Sequence, residues 1–205
     1  MKGTKPRILI VGTARSGTTN LSKALKYTFG LQKLGEPWNQ QWNDYHLGPD
    51  TEPFPFPEGI KPYSLVKTLV QQLPRNKTNH VEFLTELSGY FDKTILLSRR
   101  DLTAMALSFE KAKEIGHWHT EYVVEDESKY NLDTRFHKFC QNLLEQVADI
   151  LNLPITWYEE LYSGDRQLFE KEVNKWELDI DIDYFSKYFD PEDRLRKFIP
   201  KKTTI

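Results

Sequence analysis

The residues best equipped for chemistry lie between Gly12 and Thr19, in the run GTARSGTT. The run fits the pattern G-x-x-x-x-G-x-[ST], whose glycines let the backbone turn tightly and aim its N–H groups at an anion. Thr18 and Thr19 offer hydroxyls to phosphate oxygens, and Arg15 offers a fixed cation from within the loop. A loop that serves a nucleoside triphosphatase carries a lysine directly after the second glycine, to neutralise the β- and γ-phosphates. This chain has Thr18 there. The spacing predicts a site for a terminal phosphate and argues against triphosphate hydrolysis.

Such a loop works only between a strand and a helix, and the flanking sequence supplies both. RILIVG, with Pro6 before it, is an apolar run suited to a buried parallel strand. TNLSKALKYTFG follows with Leu21, Ala24, Leu25 and Thr28 at helical spacing and Gly30 as C-cap. The positive end of that helix dipole adds to the anion site. Further along, PYSLVKTLVQQL contains a second strand and KTILLSRR a third, and ITWYEEL reads as a fourth. Between them lie helical patterns: NHVEFLTELSGYF with Val81, Leu84, Leu87 and Phe91 on one side, and LTAMALSFEKAKEIG with Asp101 as cap. LDTRFHKFCQNLLEQVADILNLP follows, with Asp133 as cap and Pro154 beyond its end, and then GDRQLFEKEVNKWEL. Strands alternating with helices predict a three-layer α/β fold with a mainly parallel central sheet. Ligands in such sheets bind beyond the carboxyl ends of the strands, where GTARSGTT and the Arg99–Arg100 pair both fall.

With these elements in place, ARSGTT after a first strand resembles the 5′-phosphosulfate loop of the sulfotransferases that use 3′-phosphoadenylyl sulfate (PAPS). The resemblance implies that Arg15 lies beside the transferred sulfuryl group and that Ser16, Gly17, Thr18 and Thr19 bind the 5′-phosphate. A second stretch, LLSRRDLTAMALS, is similar to the family's 3′-phosphate site, an arginine at a strand end and a serine eight positions on. Here these are Arg100 and Ser108. Eight residues is a little over two helical turns, so the two can converge on one anion. Taken singly, Arg100 would read as an ion pair to Asp101 at a helix cap. A third stretch, WYEEL, resembles the family's YEDL segment and implies that Tyr158 lies near the adenine. The resemblance spans residues 8 to about 161, and its RRD pattern and compact size are closest to the bacterial trehalose sulfotransferase branch. It implies a P-loop-like sulfotransferase fold, with PAPS as co-substrate and adenosine 3′,5′-bisphosphate as product.

The catalytic base is where this chain departs from the family. One branch carries Lys-Thr-His on a strand, the histidine being the base; this chain has Lys67, Thr68 and then Leu69. Lys67 then remains a candidate for stabilising charge, or an ordinary strand-edge lysine. Another branch uses a glutamate soon after the first helix, and LGEPW offers Glu36. Partial desolvation is expected to raise its pKa toward that of a general base; the alternative is a solvated loop carboxylate. His46 and His80 are further candidates. The segment 35–62 has no helical or strand period, and its Trp38, Trp42, Tyr45, Phe54 and Phe56 form either an acceptor wall or a cover over the core.

The bulk properties bound the rest. A chain of 205 residues suffices for one domain over 1–205, and a composition 39% hydrophobic and 28% charged suits a globular protein. A net charge of −2 gives no overall basic excess for nucleic acid or an anionic membrane. No apolar run approaches the roughly 18 residues of a membrane span, and the N-terminus leaves no room for a signal peptide. The single cysteine, Cys140, sits in an apolar helical pattern and reads as a buried, inert thiol, which with no possible internal disulfide suits a cytoplasmic protein. His117 and His119 lack further ligands for zinc, and DIDID lacks the turn glycine of a calcium loop, so no metal is expected. Arg196 and Lys197 read as a solvated basic tail or as an added 3′-phosphate contact. The expected function is sulfuryl transfer from PAPS to a hydroxyl of a small-molecule or carbohydrate acceptor. The rivals are a nucleotide or small-molecule kinase and a non-catalytic nucleotide-binding protein.

Overall fold

In a computed structural model of the chain, the residues described are 5–39, 61, 63–74, 77–115, 129–130 and 132–189. Five strands form one sheet: β1 (Ile8–Gly12), β2 (Gln32–Gly35), β3 (Ser64–Leu69), β4 (Lys93–Ser98) and β5 (Ile155–Trp157). Their order is β2-β3-β1-β4-β5 and every pairing is parallel. The helices are α1 (Thr18–Phe29), α2 (His80–Ser88), α3 (Leu102–Ile115), α4 (Arg135–Leu151), α5 (Tyr158–Leu161), α6 (Arg166–Asn174) and α7 (Ile182–Ser186).

The strand period of two sorts the core into two layers. Ile8 and Ile10 of β1, Leu65 of β3 and Ile95 and Leu97 of β4 face Leu21, Ala24 and Leu25 of α1 and the aromatic group Phe169, Trp176, Phe185 and Phe189. Leu9, Val11, Val66 and Leu96 face the other way, onto Phe83, Leu84 and Leu87 of α2 and Cys140, Leu144 and Val147 of α4. Helices therefore cover both faces, as the alternating pattern predicts. Each fully buried aliphatic side chain contributes about 1.5–3 kcal/mol. That explains why RILIVG and KTILLS carry no solvent-facing alternation.

The caps agree in kind with the sequence. Gly30 ends α1 in the left-handed region at φ 60°, and Asp101 accepts the N–H of Ala104 at 2.8 Å. At α4 the cap position is Thr134 and not Asp133; Asp133, one residue earlier, still accepts the N–H of Arg135 at 2.9 Å. Phe91 lies beyond the end of α2 and enters the core from the following turn.

Three elements differ from expectation, the short helix α7 among them, which no helical pattern in the sequence announces. QKLG forms the edge strand β2, with an irregular register between Lys33 and Gly35. ITWYEEL divides after Trp157, so that YEEL is the short helix α5 and not strand. The start of α5 is tied down by α6 and the turn after it: Glu172 accepts the N–H of Trp157 at 3.1 Å, and Trp176 donates its indole N–H to the buried Thr156 hydroxyl at 2.8 Å.

Consecutive connections leave β1 toward β2 and β3 on one side, and β4 toward β5 on the other. The switch falls between β1 and β4, and the crevice beyond their carboxyl ends is where open α/β sheets bind ligands.

Candidate functional site

The loop between β1 and α1 occupies that crevice. Its base is pinned to β4, with the Thr13 N–H on the Leu97 carbonyl at 3.1 Å. Ser16 is fully buried and its hydroxyl donates to the Thr13 carbonyl at 2.7 Å, so its side chain shapes the loop. Two positions need unusual backbone. Gly17 has φ 86°, and a Cβ there would meet Tyr158 Cδ2 and Tyr162 Oη at 3.0 Å. Arg15 also lies in the left-handed region, at φ 65°. No acceptor among the described residues takes the N–H groups of Gly17, Thr18 or Thr19. Three unmatched donors at the positive end of a helix suit an anion.

Across the crevice Arg15 donates from Nε to the Ser108 hydroxyl at 2.8 Å. The structure thus joins the first loop to the helix of the second motif. Arg100 is not part of this junction. Its side chain is 51% exposed and pairs with Glu160, with its guanidinium 4.5 Å from the Trp157 ring centroid. The neighbouring Arg99 lies further in. Its guanidinium stands 4.5 Å from the Tyr158 ring centroid, and its Nε is buried with no hydrogen-bond partner. Glu159 orders the turn beneath both arginines by accepting the N–H groups of Arg100 at 2.9 Å and Asp101 at 3.1 Å.

Tyr158 stacks on Tyr162 with ring centroids 4.3 Å apart, directly beside Gly17. Burial pushes both phenols above their ordinary range. Tyr162 is held by Asn20, whose amide also donates to the Tyr188 carbonyl at 2.8 Å. The tyrosine pair therefore forms a rigid apolar wall along one side of the loop.

On the other side lies a charged network. Glu36 follows β2, and its carboxylate forms an ion pair with Lys67 in the middle of β3; their side chains are 17% and 4% exposed. Lys67 also donates to the Thr19 hydroxyl at 2.9 Å. Lys67 is no strand-edge lysine, because β3 lies inside the sheet. The Gln72 side-chain amide donates to Glu36 at 2.8 Å, and the Asn39 amide donates to it at 3.2 Å. Gln72 is oriented in turn by its own carbonyl oxygen, which accepts from the Leu69 N–H at 3.0 Å.

The expected upward shift of Glu36 is reversed. Burial does push its carboxyl up, but the Lys67 charge and the hydrogen bonds from Lys67, Gln72 and Asn39 together outweigh it and leave it below the ordinary carboxylate range. Glu36 is therefore not a solvated loop carboxylate; at rest it is a partly buried, ionised partner of Lys67.

Other candidates fall elsewhere. His80 begins α2 with its Nε2 3.2 Å from the Gln71 carbonyl, so it packs on backbone. Trp38 is buried in the core, edge-on to Phe83 at 5.2 Å, and so covers the core. Burial pushes the Cys140 thiol up to about 12, a poor nucleophile. In DIDID, Asp181 caps α7 and Asp183 pairs with Arg166. Among the described residues no group of three or more His, Cys, Asp or Glu could hold a metal, and no helix is long and apolar enough to cross a membrane. Trp42, Tyr45, His46, Phe54, Phe56, His117, His119, Arg196 and Lys197 lie outside the described residues.

Sequence reasoning placed Arg99 with Arg100 beyond the strand ends but gave it no role of its own, and it missed Gln72, Asn39 and Glu159. Arg99 had a signal in its adjacency to Arg100; the others act across turns or between distant strands and carry no local signature. No protein-family model matches the chain, and no curated protein matches it.

Proposed function

We propose that the protein is a PAPS-dependent sulfotransferase, moving the sulfuryl group from PAPS to a hydroxyl of a small-molecule or carbohydrate acceptor. The observation that carries this reading is the Arg15–Ser108 hydrogen bond. It supports one ligand that spans both motifs, with a 5′-phosphate on the loop and a second phosphate toward α3 and the paired arginines.

In this reading the N–H groups of Gly17, Thr18 and Thr19 hold the 5′-phosphate, and Tyr158 offers its ring to the adenine. The acceptor oxygen attacks sulfur in line. An O–S bond forms as the bond between sulfur and the bridging phosphate oxygen breaks, and the acceptor proton passes to Glu36. Arg15 and Lys67 compensate the charge that builds on the leaving phosphate. Lys67 links the two halves of the step. As its ammonium turns from Glu36 toward the leaving group, the carboxylate loses the partner that holds its pKa down and becomes a better base.

Lys67 also favours a second reading. It brings to the loop, from β3, the ammonium that Thr18 replaces, and that charge would equally suit a kinase. Titration calorimetry separates the two. Adenosine 3′,5′-bisphosphate is expected to bind at least about tenfold more tightly than adenosine 5′-phosphate, a gap of about 1.4 kcal/mol. Preference for ATP with Mg²⁺ would overturn the sulfotransferase in favour of the kinase.

A further inference from the structure

Beside the Glu36–Lys67 pair lies a group of cations that the transfer step does not use. Lys33 pairs in register with Leu65 on β3, so its side chain lies on the same face of the sheet as Leu65 and Lys67, the face covered by α1. On α1, Thr19, Lys23 and Lys26 fall at helical spacing along one stripe. That stripe starts at the hydroxyl that Lys67 contacts. Lys67, Lys23 and Lys26 all act on Lys33 as repelling charges, and Glu36 attracts it. Glu36 is already engaged by Lys67, Gln72 and Asn39.

Among the described residues the Lys33 side chain has neither a hydrogen bond nor an ion pair, and Lys33 is only partly exposed. Lys26 has a structural duty, since it sits in the last turn of α1 and complements the helix dipole. Neither Lys33 nor Lys23 has one.

We propose that Lys33, with Lys23 and Lys26 beside it, forms an anion-binding subsite next to the Glu36–Lys67 pair, and that the acceptor is a hydroxyl compound bearing a phosphate or carboxylate. Resting on the transferase reading, this deepens it by naming the acceptor's chemical class. An anion there relieves the repulsion among the lysines and anchors the acceptor beside Glu36, the base of the transfer step. Burial and the charges of Lys67, Lys23 and Lys26 hold Lys33 down at about 8, so near pH 8 it is partly neutral when the subsite is empty and takes up a proton when an anion arrives.

The experiment is competitive amine labelling of the intact protein with acetic anhydride near pH 8, read lysine by lysine by peptide mass spectrometry. It is run with inorganic phosphate, glucose 6-phosphate, glucuronate, neutral glucose or adenosine 3′,5′-bisphosphate. Lys33 is expected to label faster than Lys23 or Lys26 in the free protein. Inorganic phosphate and at least one anionic sugar are expected to slow it about fivefold or more, and glucose to leave it unchanged. Comparing glucose 6-phosphate with glucuronate decides between phosphate and carboxylate. In calorimetry, Lys33→Gln is expected to lose about tenfold in affinity for the protecting sugar, the scale of one charge-assisted contact, while its affinity for the bisphosphate stays the same.

Protection by glucose as strong as by the anionic sugars, no protection by any of the anions, or protection by the bisphosphate alone would each overturn the subsite. Failure to bind the bisphosphate, with anion protection of Lys33 intact, would sink the transferase reading and leave the subsite standing.

Discussion

Arg99 and Arg100 are neighbours in the chain with opposite surroundings. An exposed ion pair such as Arg100–Glu160 contributes about 0–1 kcal/mol. The buried Nε of Arg99 lies beside the Tyr158 ring and 3.9 Å from the Glu159 carboxylate, an ion pair too long to be a hydrogen bond, so the donor can still take an acceptor. Arg99→Ala is expected to weaken adenosine 3′,5′-bisphosphate about tenfold or more, and Arg100→Ala less than about threefold, on the scale of one charge-assisted hydrogen bond. Calorimetry on the two variants checks this, and a larger loss for Arg100→Ala would return the second phosphate to the residue that the resemblance implies. Glu36 permits a second residue-scale test. Because its folded pKa is depressed, its pairing with Lys67 stabilises the protein above the ordinary carboxylate pKa and is lost as pH falls through the folded value. Glu36→Gln is therefore expected to melt lower than the wild type at pH 7, with the gap closing below about pH 4.3. A gap that persists undiminished in acid would show that packing, and not charge, is what the substitution removes.

At the scale of elements, the turn from β1 into α1 decides whether the site exists. Gly17→Ala adds a methyl against Tyr158 and Tyr162 at a backbone angle that disfavours any Cβ, a penalty of about 1–2 kcal/mol from the backbone alone. Gly164, at φ 77°, has the same backbone demand with nothing within 4 Å. Thermal denaturation of the two alanine variants separates strain from collision: Gly17→Ala is expected to melt lower than Gly164→Ala and to lose bisphosphate binding, and equal melting would deny the tyrosine wall its role. The same turn shows what could be read in advance. RILIVG, the helix after it and the glycine-containing loop between them are local features, set by apolar runs, a C-cap glycine and a short motif, and they stand where the sequence puts them. QKLG escaped notice because an edge strand of four residues, only one of them a large apolar side chain, has no period to detect. YEEL misled because β5 is only three residues long and its apolar run passes straight into a helix turn. Glu36 was legible as a candidate, but its charge state was not. That depends on Lys67, 31 positions away in sequence, and on Gln72, 36 positions away. Only the pairing of β2 with β3 brings them together.

For the molecule as a whole, a net charge of −2 conceals a local concentration of positive charge at one end of the sheet. Folding takes Lys33 partly out of water and sets it against the repulsion of three other lysines, at an energetic cost that the attraction of Glu36 offsets only in part. Residues that burden the fold are a common mark of function, since activity and stability make different demands on the same side chain. The pH dependence follows from the two ends of the titration. An unfolded Lys33 keeps its proton up to the ordinary lysine value of 10.5, whereas the folded one releases it near 8. Between these values the unfolded chain binds more protons than the folded one, so the Lys33 contribution to stability rises with pH. Below about 8 both states are protonated and the full penalty applies. Lys33→Met is therefore expected to be more stable than the wild type at pH 7 and to lose that advantage progressively between pH 8 and 10.5. Taking the difference between the two proteins removes the titration of the buried tyrosines, which is common to both. Urea denaturation across that range measures it directly. A variant no more stable than the wild type at pH 7, or a difference that does not change with pH, would mean that Lys33 carries its charge without strain in the folded protein.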